Sequence, residues 1–316
     1  MFSFIKAIQN LLANLKKRKG LWFSILSAMS IAGIFLTLFL ITNVTKTASA
    51  HVYEDVSHTY KKNLDTRVLD KQKEYKNIVL ALKSNSNFTT NLNNIQIVDD
   101  TIKKYNDNLN TNGFDGIAIK YYPLNTQVNI FRNSINAVIN RKSSLFGMEV
   151  MLDGPNMVYL EPLFIEQNLV GVIEVKQNLI SFKQDYEKTQ GGVFLFLLQE
   201  RSMNALSTDV KNGNYRAVVD DLFVEEKKFD GMFFGNMIKE GSEGLKLMRD
   251  QGYKVNEVFF KTYKEVIDIN GSFIGYLVVG EKVEGSNGFV NIVDKLTKEV
   301  TLIALGLVMS ILIFMF

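Results

Sequence analysis

The stretch "NMVYLEPLFIEQNLVGVIEVK" runs from Asn156 to Lys176, and "EVFFKTYKEVIDINGSFIGYLVVGEK" runs from Glu257 to Lys282. Each is an alternating apolar and polar run, a short polar turn, and a second apolar run centred on a glycine, which is the pattern of a β-hairpin. In the second copy the turn reads as Asn270-Gly271, a pair that tolerates the positive φ angles a tight type I′ turn requires at both central positions. In the first, Glu166-Gln167-Asn168 connects the strands, and Gly171 stands in "VGVIEV" where Gly275 stands in "IGYLVV". One hairpin is therefore used in two related modules.

Working outward from the first hairpin, "FDGIAIKYYPL" reads as a strand closed by Pro123 and "FRNSINAVINRKSS" as a short helix. Three strands follow, roughly Phe146 to Leu152, Met157 to Phe164 and Leu169 to Lys176, forming an antiparallel meander. A helical stretch from Asn178 to about Gln190 leads to "GGVFLFLLQE", a new strand that opens the second module. A polar connection, Arg201 to Glu226, then leads to the helix "GNMIKEGSEGLKLMRDQG" and the second hairpin. The order of strand, helix and paired strands thus occurs twice.

Before these modules, Val52, Val56, Tyr60, Leu64, Val68, Tyr75, Ile78, Val79 and Leu82 recur at three, four or seven residues, with no Gly or Pro from His51 to Asn85. This predicts a long amphipathic helix that needs a partner face, either the modules or the same helix of a second subunit. The Asn-rich "SNSNFTTNLNN" ends it.

Two uncharged runs flank the whole: Leu21 to Thr42 and Val300 to Phe316. At about 1.5 Å per residue the first crosses a hydrocarbon core of about 30 Å, and the second lies at the lower limit for a span. Residues 1 to 20 hold Lys6, Lys16, Lys17, Arg18 and Lys19 with no acid, while the rest of the chain is slightly acidic. That clustering is a topology signal rather than a nucleic-acid footprint: it keeps the N-terminus in the cytoplasm and places residues 44 to 299 outside. Phe4, Ile8, Leu11 and Leu15 give the tail helical spacing suited to a membrane surface. Ala48-Ser49-Ala50 resembles a processing site, but the apolar run exceeds the 7 to 15 residues usual for a cleaved leader. The final "FVNIVDKLTKEV" has helical spacing and no breaker before the second run, so the two form one rod.

Two spans of this polarity, a long helix and two α+β modules resemble the double Cache sensor, a PAS-like extracytoplasmic input domain of bacterial chemoreceptors, sensor kinases and membrane cyclases. The residues that carry the resemblance lie in "GMEVMLDGPNMVYLEPLFIEQNLVGVIEV", Gly147 to Val175, similar to the family's glycine, strand, apolar-Pro and G-x-hydrophobic pattern. It covers about Thr47 to Phe289. The resemblance implies an α+β fold of two Cache modules with antiparallel sheets on a stalk helix: a basic tail at 1–20, a span at 21–42, the stalk at 47–90, a membrane-distal module at 91–188, a membrane-proximal module at 189–285, and a helix running into the second span at 286–316.

The resemblance also implies a small ligand held in the distal module, between its sheet and the covering loops. The candidates there are Tyr121, with Tyr122, at a strand end, Arg132 opening the helix, Glu149 on the first meander strand, and Tyr159 and Glu161 on the second. Period-two geometry puts Tyr159 and Glu161 on one face. Carboxylates for an ammonium and an Arg for a carboxylate suit an amino acid, amine or organic acid, because buried ligand charges must be paired. The bland readings are a solvated Arg132, glutamates on an exposed sheet face, and tyrosines that only pack. The Arg and Trp pair with a distal Asp by which some double Cache domains hold amino acids is not recognisable, and Trp22, the only tryptophan, lies in the first apolar run.

No cysteine is present, which excludes thiol catalysis and disulfides, so the outer region is held by packing. His51 and His58, the only histidines, lie about 10 Å apart on a helix, too far to share a metal. No phosphate loop, nucleophile elbow or zinc-protease helix occurs. The expectation is a two-pass inner-membrane sensory input, not an enzyme and without a cofactor. It is expected to act as a homodimer with a small-molecule ligand and a signalling partner in the membrane. It is expected to be a fragment of a longer receptor, a product that has lost its output, or a stand-alone subunit that signals through that partner. The alternative is a membrane-anchored scaffold in which the Cache fold has lost its ligand and presents a closed apolar site.

Overall fold

In a computed structural model, residues 19–124, 132–190, 192–225, 229–283 and 289–315 are described. The tail helix expected at 1–20 lies almost wholly outside them. The chain divides into two units, Val56–Glu284 and Met1–Asp55 with Gly285–Phe316.

The second of these holds the start of helix α1 (Lys19–Lys83) and the C-terminal helix α8 (Phe289–Met315). Among the described residues no helix is long and apolar enough to cross a membrane. Both helices do present large apolar side chains outward, with Phe35 71% and Leu302 69% exposed.

In the unit Val56–Glu284, α1 continues to Lys83, where Asn85 takes over. Its side chain accepts from the Phe88 N–H and starts the short helix α2 (Ser86–Thr89). Asn94 does the same for α3 (Ile95–Thr111) through the Ile97 N–H. The asparagines that end the stalk are therefore helix caps, which is why the stalk stops short of residue 90.

Two antiparallel sheets follow. The first comprises β1 (Ile117–Pro123), β2 (Leu145–Met151), β3 (Gly154–Ile165) and β4 (Asn168–Asn178), with helix α4 (Asn133–Arg141) between β1 and β2; its order is β1-β4-β3-β2. Helix α5 (Leu179–Gln190) leads to β5 (Val193–Gln199). After a 3₁₀ turn (Glu200–Ala205) come α6 (Thr208–Asn214), β6 (Tyr215–Val219), β7 (Leu222–Glu225), α7 (Gly231–Gln251), β8 (Tyr253–Val255), β9 (Phe259–Ile267) and β10 (Phe273–Lys282). The second sheet runs β6-β7-β5-β10-β9-β8. Four of its strands, β5-β10-β9-β8, repeat the order of the first sheet. The "polar connection" of residues 201–226 is a correction: it contributes two strands that extend this second sheet.

The glycines confirm the equivalence. Gly171 on β4 pairs with Pro123 of β1, and Gly275 on β10 pairs with Leu198 of β5. A Cβ on Gly171 would meet the Tyr121 ring at 2.4 Å. A Cβ on Gly275, at φ +153°, would meet the Leu197 carbonyl oxygen at 1.9 Å. Each is the point where the last strand of a hairpin crosses the first strand of its module without room for a side chain.

The second hairpin differs from its expected turn. Asn270 does not have positive φ, whereas Gly271 does, at 91°. The Gly271 N–H donates to the Asp268 carbonyl and Asp268 N–H to the Ser272 carbonyl, so the loop has three residues, Ile269 to Gly271. Asp268 explains the change. Its carboxylate accepts from the backbone N–H groups of Asn270 and Ser272, the role of Asp at the first position of a type I turn.

One face of each sheet lies under α1. Leu64, Tyr75, Val79 and Leu82 of the helix join Ile119, Met157 and Ile173 of the first sheet and Phe194, Leu277 and Val279 of the second in one buried cluster. Leu179, Phe182 and Tyr186 of α5 belong to it, and Lys71 of α1, 3% exposed, pairs with Asp185 of α5 at 3.1 Å. Ser57 shares a hydrogen bond with Thr262 at 2.7 Å, and the Tyr75 hydroxyl donates to Gln177 at 2.9 Å. The opposite faces are covered separately, the first by α4 through Ile135 and Val138, the second by α7 through Phe233, Met237 and Met248.

Gly275→Ala is expected to destabilise the fold by about 3 kcal/mol or more, since the added methyl meets backbone in a conformation that disfavours Ala. Gly235→Ala, inside α7 with open space at its Cβ, is expected to stabilise it by about 1 kcal/mol. Chemical denaturation of both variants measures the contrast, and equal effects would contradict the repeat geometry.

Candidate functional site: a charged cleft on the first sheet

Strand β4 has one face covered by the stalk and the other on the α4 side, and its residues alternate between them. Ile173 and Val175 face the stalk. Val172 belongs to the α4 side, and with it Glu174, which is 1% exposed. A carboxylate so placed must be paired. Arg132, the residue before α4, supplies an ion pair, and the Tyr122 hydroxyl donates to the other carboxylate oxygen at 2.9 Å. The Arg132 Nη1 also lies 3.5 Å from Glu149 on β2. Glu149 is 8% exposed and accepts from the Ser134 hydroxyl at 2.9 Å, in the first turn of α4.

Two buried carboxylates thus converge on one guanidinium. Around them stand Lys176, paired with Asp153 at 2.7 Å, and Lys120, whose ammonium lies over the Tyr122 ring at 4.8 Å. All of these side chains border a cleft of about 730 Å³. Burial works against the charge of Arg132, but Glu174 and Glu149 more than offset it and hold its pKa above the ordinary arginine value. Burial raises the Glu149 pKa against the pull of Arg132 and Ser134, and the charges of Glu174 and Asp268 add to the rise. The Tyr122 hydroxyl is raised by burial, and by Glu174 beside it.

The hydrogen-bonding capacity is not used up. Among the described residues the buried Nε of Arg132 has no partner. That atom is out of reach of solvent, but about 30% of the Arg132 side chain is exposed, so the cleft presents a cation beside two carboxylates. Three acids and three bases line it, so its charge balances. That suits a zwitterion and disfavours a polyanion.

Of the six residues singled out from the sequence, Tyr122, Arg132 and Glu149 meet in this cleft. The other three lie on the opposite face, toward the stalk. Tyr121 is packed edge to face on Phe88 at 5.9 Å, donates to the Val170 carbonyl at 3.1 Å, and has its pKa pushed up to about 12 by burial. Tyr159 donates to Glu161 at 2.8 Å, and Glu161 accepts from Lys83, the last residue of α1, at 2.7 Å. Tyr159 and Glu161 share a face as expected, and on that face they tie down the end of the stalk. Glu174, not singled out from the sequence, lines the cleft with Tyr122. The signal for Glu174 was present: it is the one acid inside the apolar run "LVGVIEV".

The equivalent place in the second sheet is apolar. Three residues after its glycine stands Val278 rather than Glu174, and Leu195 pairs with it where Lys120 pairs with Glu174. Both are packed under α7 with Phe233 and Met237. Among the described residues no group of His, Asp and Glu gathers to hold a metal ion.

No family model and no curated protein matches the chain. Among solved structures it is similar to the sensory domain of the Campylobacter jejuni chemoreceptor Tlp3 (CcmL), at 12% identity and a TM-score of 0.41 over 79% of this chain and 98% of that one. It is also similar to the sensor domain of the V. cholerae histidine kinase DctB, at 10% identity and 0.35 over 72% and 97%. A third is the ligand-binding domain of the Pseudomonas fluorescens chemoreceptor CtaA in complex with L-serine, at 9% identity and 0.35 over 72% and 98%.

Glu149 binds its proton more tightly in the folded chain than a free glutamate does. Its ionisation therefore costs stability as pH rises through its folded pKa, and that stability is fully present only below the ordinary carboxylate range. Glu149→Gln keeps the shape and removes the ionisation. It is expected to raise the melting temperature at pH 7 and to leave it unchanged at a pH where both forms are neutral. A lower melting temperature at pH 7 would contradict this account of the cluster.

Proposed function

We propose that this chain is the input region of a two-pass membrane sensor of the double Cache type, binding a small extracytoplasmic ligand in the cleft on the first sheet. The observation that carries the reading is the pair of buried carboxylates, Glu149 and Glu174, converging on the half-buried Arg132, all three lining that cleft. Buried charge is costly to assemble and contributes little net stability against apolar packing of the same volume. The second sheet fills the same place with Val278 and Leu195, so the fold itself does not require it. A small amino acid is the ligand class that matches, its carboxylate taking Arg132 and its ammonium Glu149 or Glu174.

The membrane reading is supported by the two uncharged runs, by the basic cluster ahead of the first, and by the outward apolar side chains of α1 and α8. In this reading residues 21–42 and 300–316 span the inner membrane, the modules at 91–188 and 189–285 are distal and proximal, and the chain acts as a homodimer. Ligand binding biases a two-state equilibrium by favouring one state, and α8 passes the change to an output domain or membrane partner. The scaffold reading requires a closed apolar site, and the buried acids count against it. The chain is a receptor rather than an enzyme.

Thermal unfolding of the full chain in detergent, across amino acids, amines, organic acids and nucleobases, tests the reading. A binder at 100 times its dissociation constant stabilises the fold by about 2.7 kcal/mol. At least one amino acid is expected to shift the wild type, and Arg132→Ala to abolish that shift. Silence across the whole panel would overturn the ligand reading.

A further inference from the structure

The loop of the second hairpin does not stay with its own sheet. The Ile269 N–H donates to the Met148 carbonyl on β2 of the first sheet at 2.7 Å, and Asp268 bridges to Met148 in parallel register. Gly147 makes room for this contact: a Cβ there would stand 3.3 Å from the Cα, Cβ and Cγ1 of Ile269. Ile269 itself packs onto the cluster of Ile135, Val138, Val158 and Leu160 that floors the α4 side of the first sheet. A loop of one sheet is therefore part of the core of the other.

The next residue, Asn270, borders the same cleft as Arg132, Glu149 and Glu174. Its backbone N–H is held by the Asp268 carboxylate, so the loop is stiff and the side chain is not what keeps it folded. Asp268 acts on the cleft from the same loop, since its charge adds to the rise of the Glu149 pKa. The loop feeds β10, which lies between β5 and β9 in the second sheet.

We infer that the loop from Asp268 to Gly271 is a wall of the ligand cleft, and that Asn270, reaching over from the second sheet, contacts the ligand and sets which ligands fit. This rests on the reading of the cleft as a ligand site. A carboxamide both donates and accepts, so it suits the polar end of a small amino acid beyond the groups held by Arg132 and the two glutamates. Occupancy of a cleft on the first sheet is then felt directly by the hairpin of the second, without passing through the stalk.

The test uses the full chain and has two parts. Because the chain has no native cysteine, a Gly147→Cys, Ile269→Cys pair can form only one intramolecular disulfide, and its Cβ separation is close to the disulfide range of about 3.5–4.5 Å. The pair is expected to oxidise in the free protein with the second hairpin still folded. In the second part, each proteinogenic amino acid in turn is titrated into wild type and Asn270→Ala. The tightest binder is expected to weaken about tenfold, the loss of one hydrogen bond in a desolvated site, with the melting temperature of the free protein unchanged. If the wild type binds and Asn270→Ala binds every compound equally well, the inference fails and the cleft reading stands. If the wild type binds none, the cleft reading fails and the inference falls with it. A cysteine pair that stays reduced under oxidising conditions overturns the docking of the loop itself.

Discussion

Both sheets have an apolar face that must leave water, and a single helix covers the two. Residues 56 to 83 of α1, helped by α5, bury the stalk-side faces of both sheets in one cluster. Neither sheet could expose that face and remain folded, because the apolar burial it supplies is the main force opposing chain entropy. The other constraints follow from this. The α4 and α7 sides are covered locally and are free to differ, since the shared core is already secured. The first sheet buries two carboxylates against Arg132 there, and the second packs aromatic side chains beside a buried Lys261 that pairs with Glu240 of α7.

The cleft depends on which residues stand on the α4 or α7 side of the strands that close the two hairpins, β4 and β10. At equivalent steps along them stand Glu174 and Val278. One substitution of this kind obliges a whole neighbourhood to change. A buried acid needs a cation, Arg132 answers it, and Glu149 and Tyr122 complete the hydrogen bonding. A carboxylate at position 278 would face the apolar Phe233 and Leu195, and the buried cation on that side, Lys261, is already paired with Glu240.

Much of the fold was legible where pattern and chemistry agree. Strict alternation and the glycines at 171 and 275 marked the hairpins and their repetition, because a glycine is required wherever two strands cross too closely for a Cβ. The stalk was legible from a long run without Gly or Pro. Strands β6 and β7 were not: five and four residues are too few for a period to register, and their pairing with each other and with β5 is what makes them strands. The turn at Asn270-Gly271 misled because Asp268, two residues earlier, caps the loop and changes its length. Of the residues singled out by type, Tyr122, Arg132 and Glu149 line one cleft. Tyr121, Tyr159 and Glu161 have equally suitable chemistry, but type does not tell which face of a sheet a residue occupies. Alternation counted outward from Glu174 does so, because a lone acid in an apolar central strand marks the charged face.

Native-state hydrogen exchange of the full chain tests the shared core most directly. The amides of Val158 and Ile173 in the first sheet and of Leu197 and Val278 in the second are expected to open with the same free energy, as one cooperative unit, and to lose protection together in Tyr75→Ala. Were the second sheet to keep its protection in Tyr75→Ala while the first lost it, the sheets would be independent domains and the account of a single helix-covered core would be wrong.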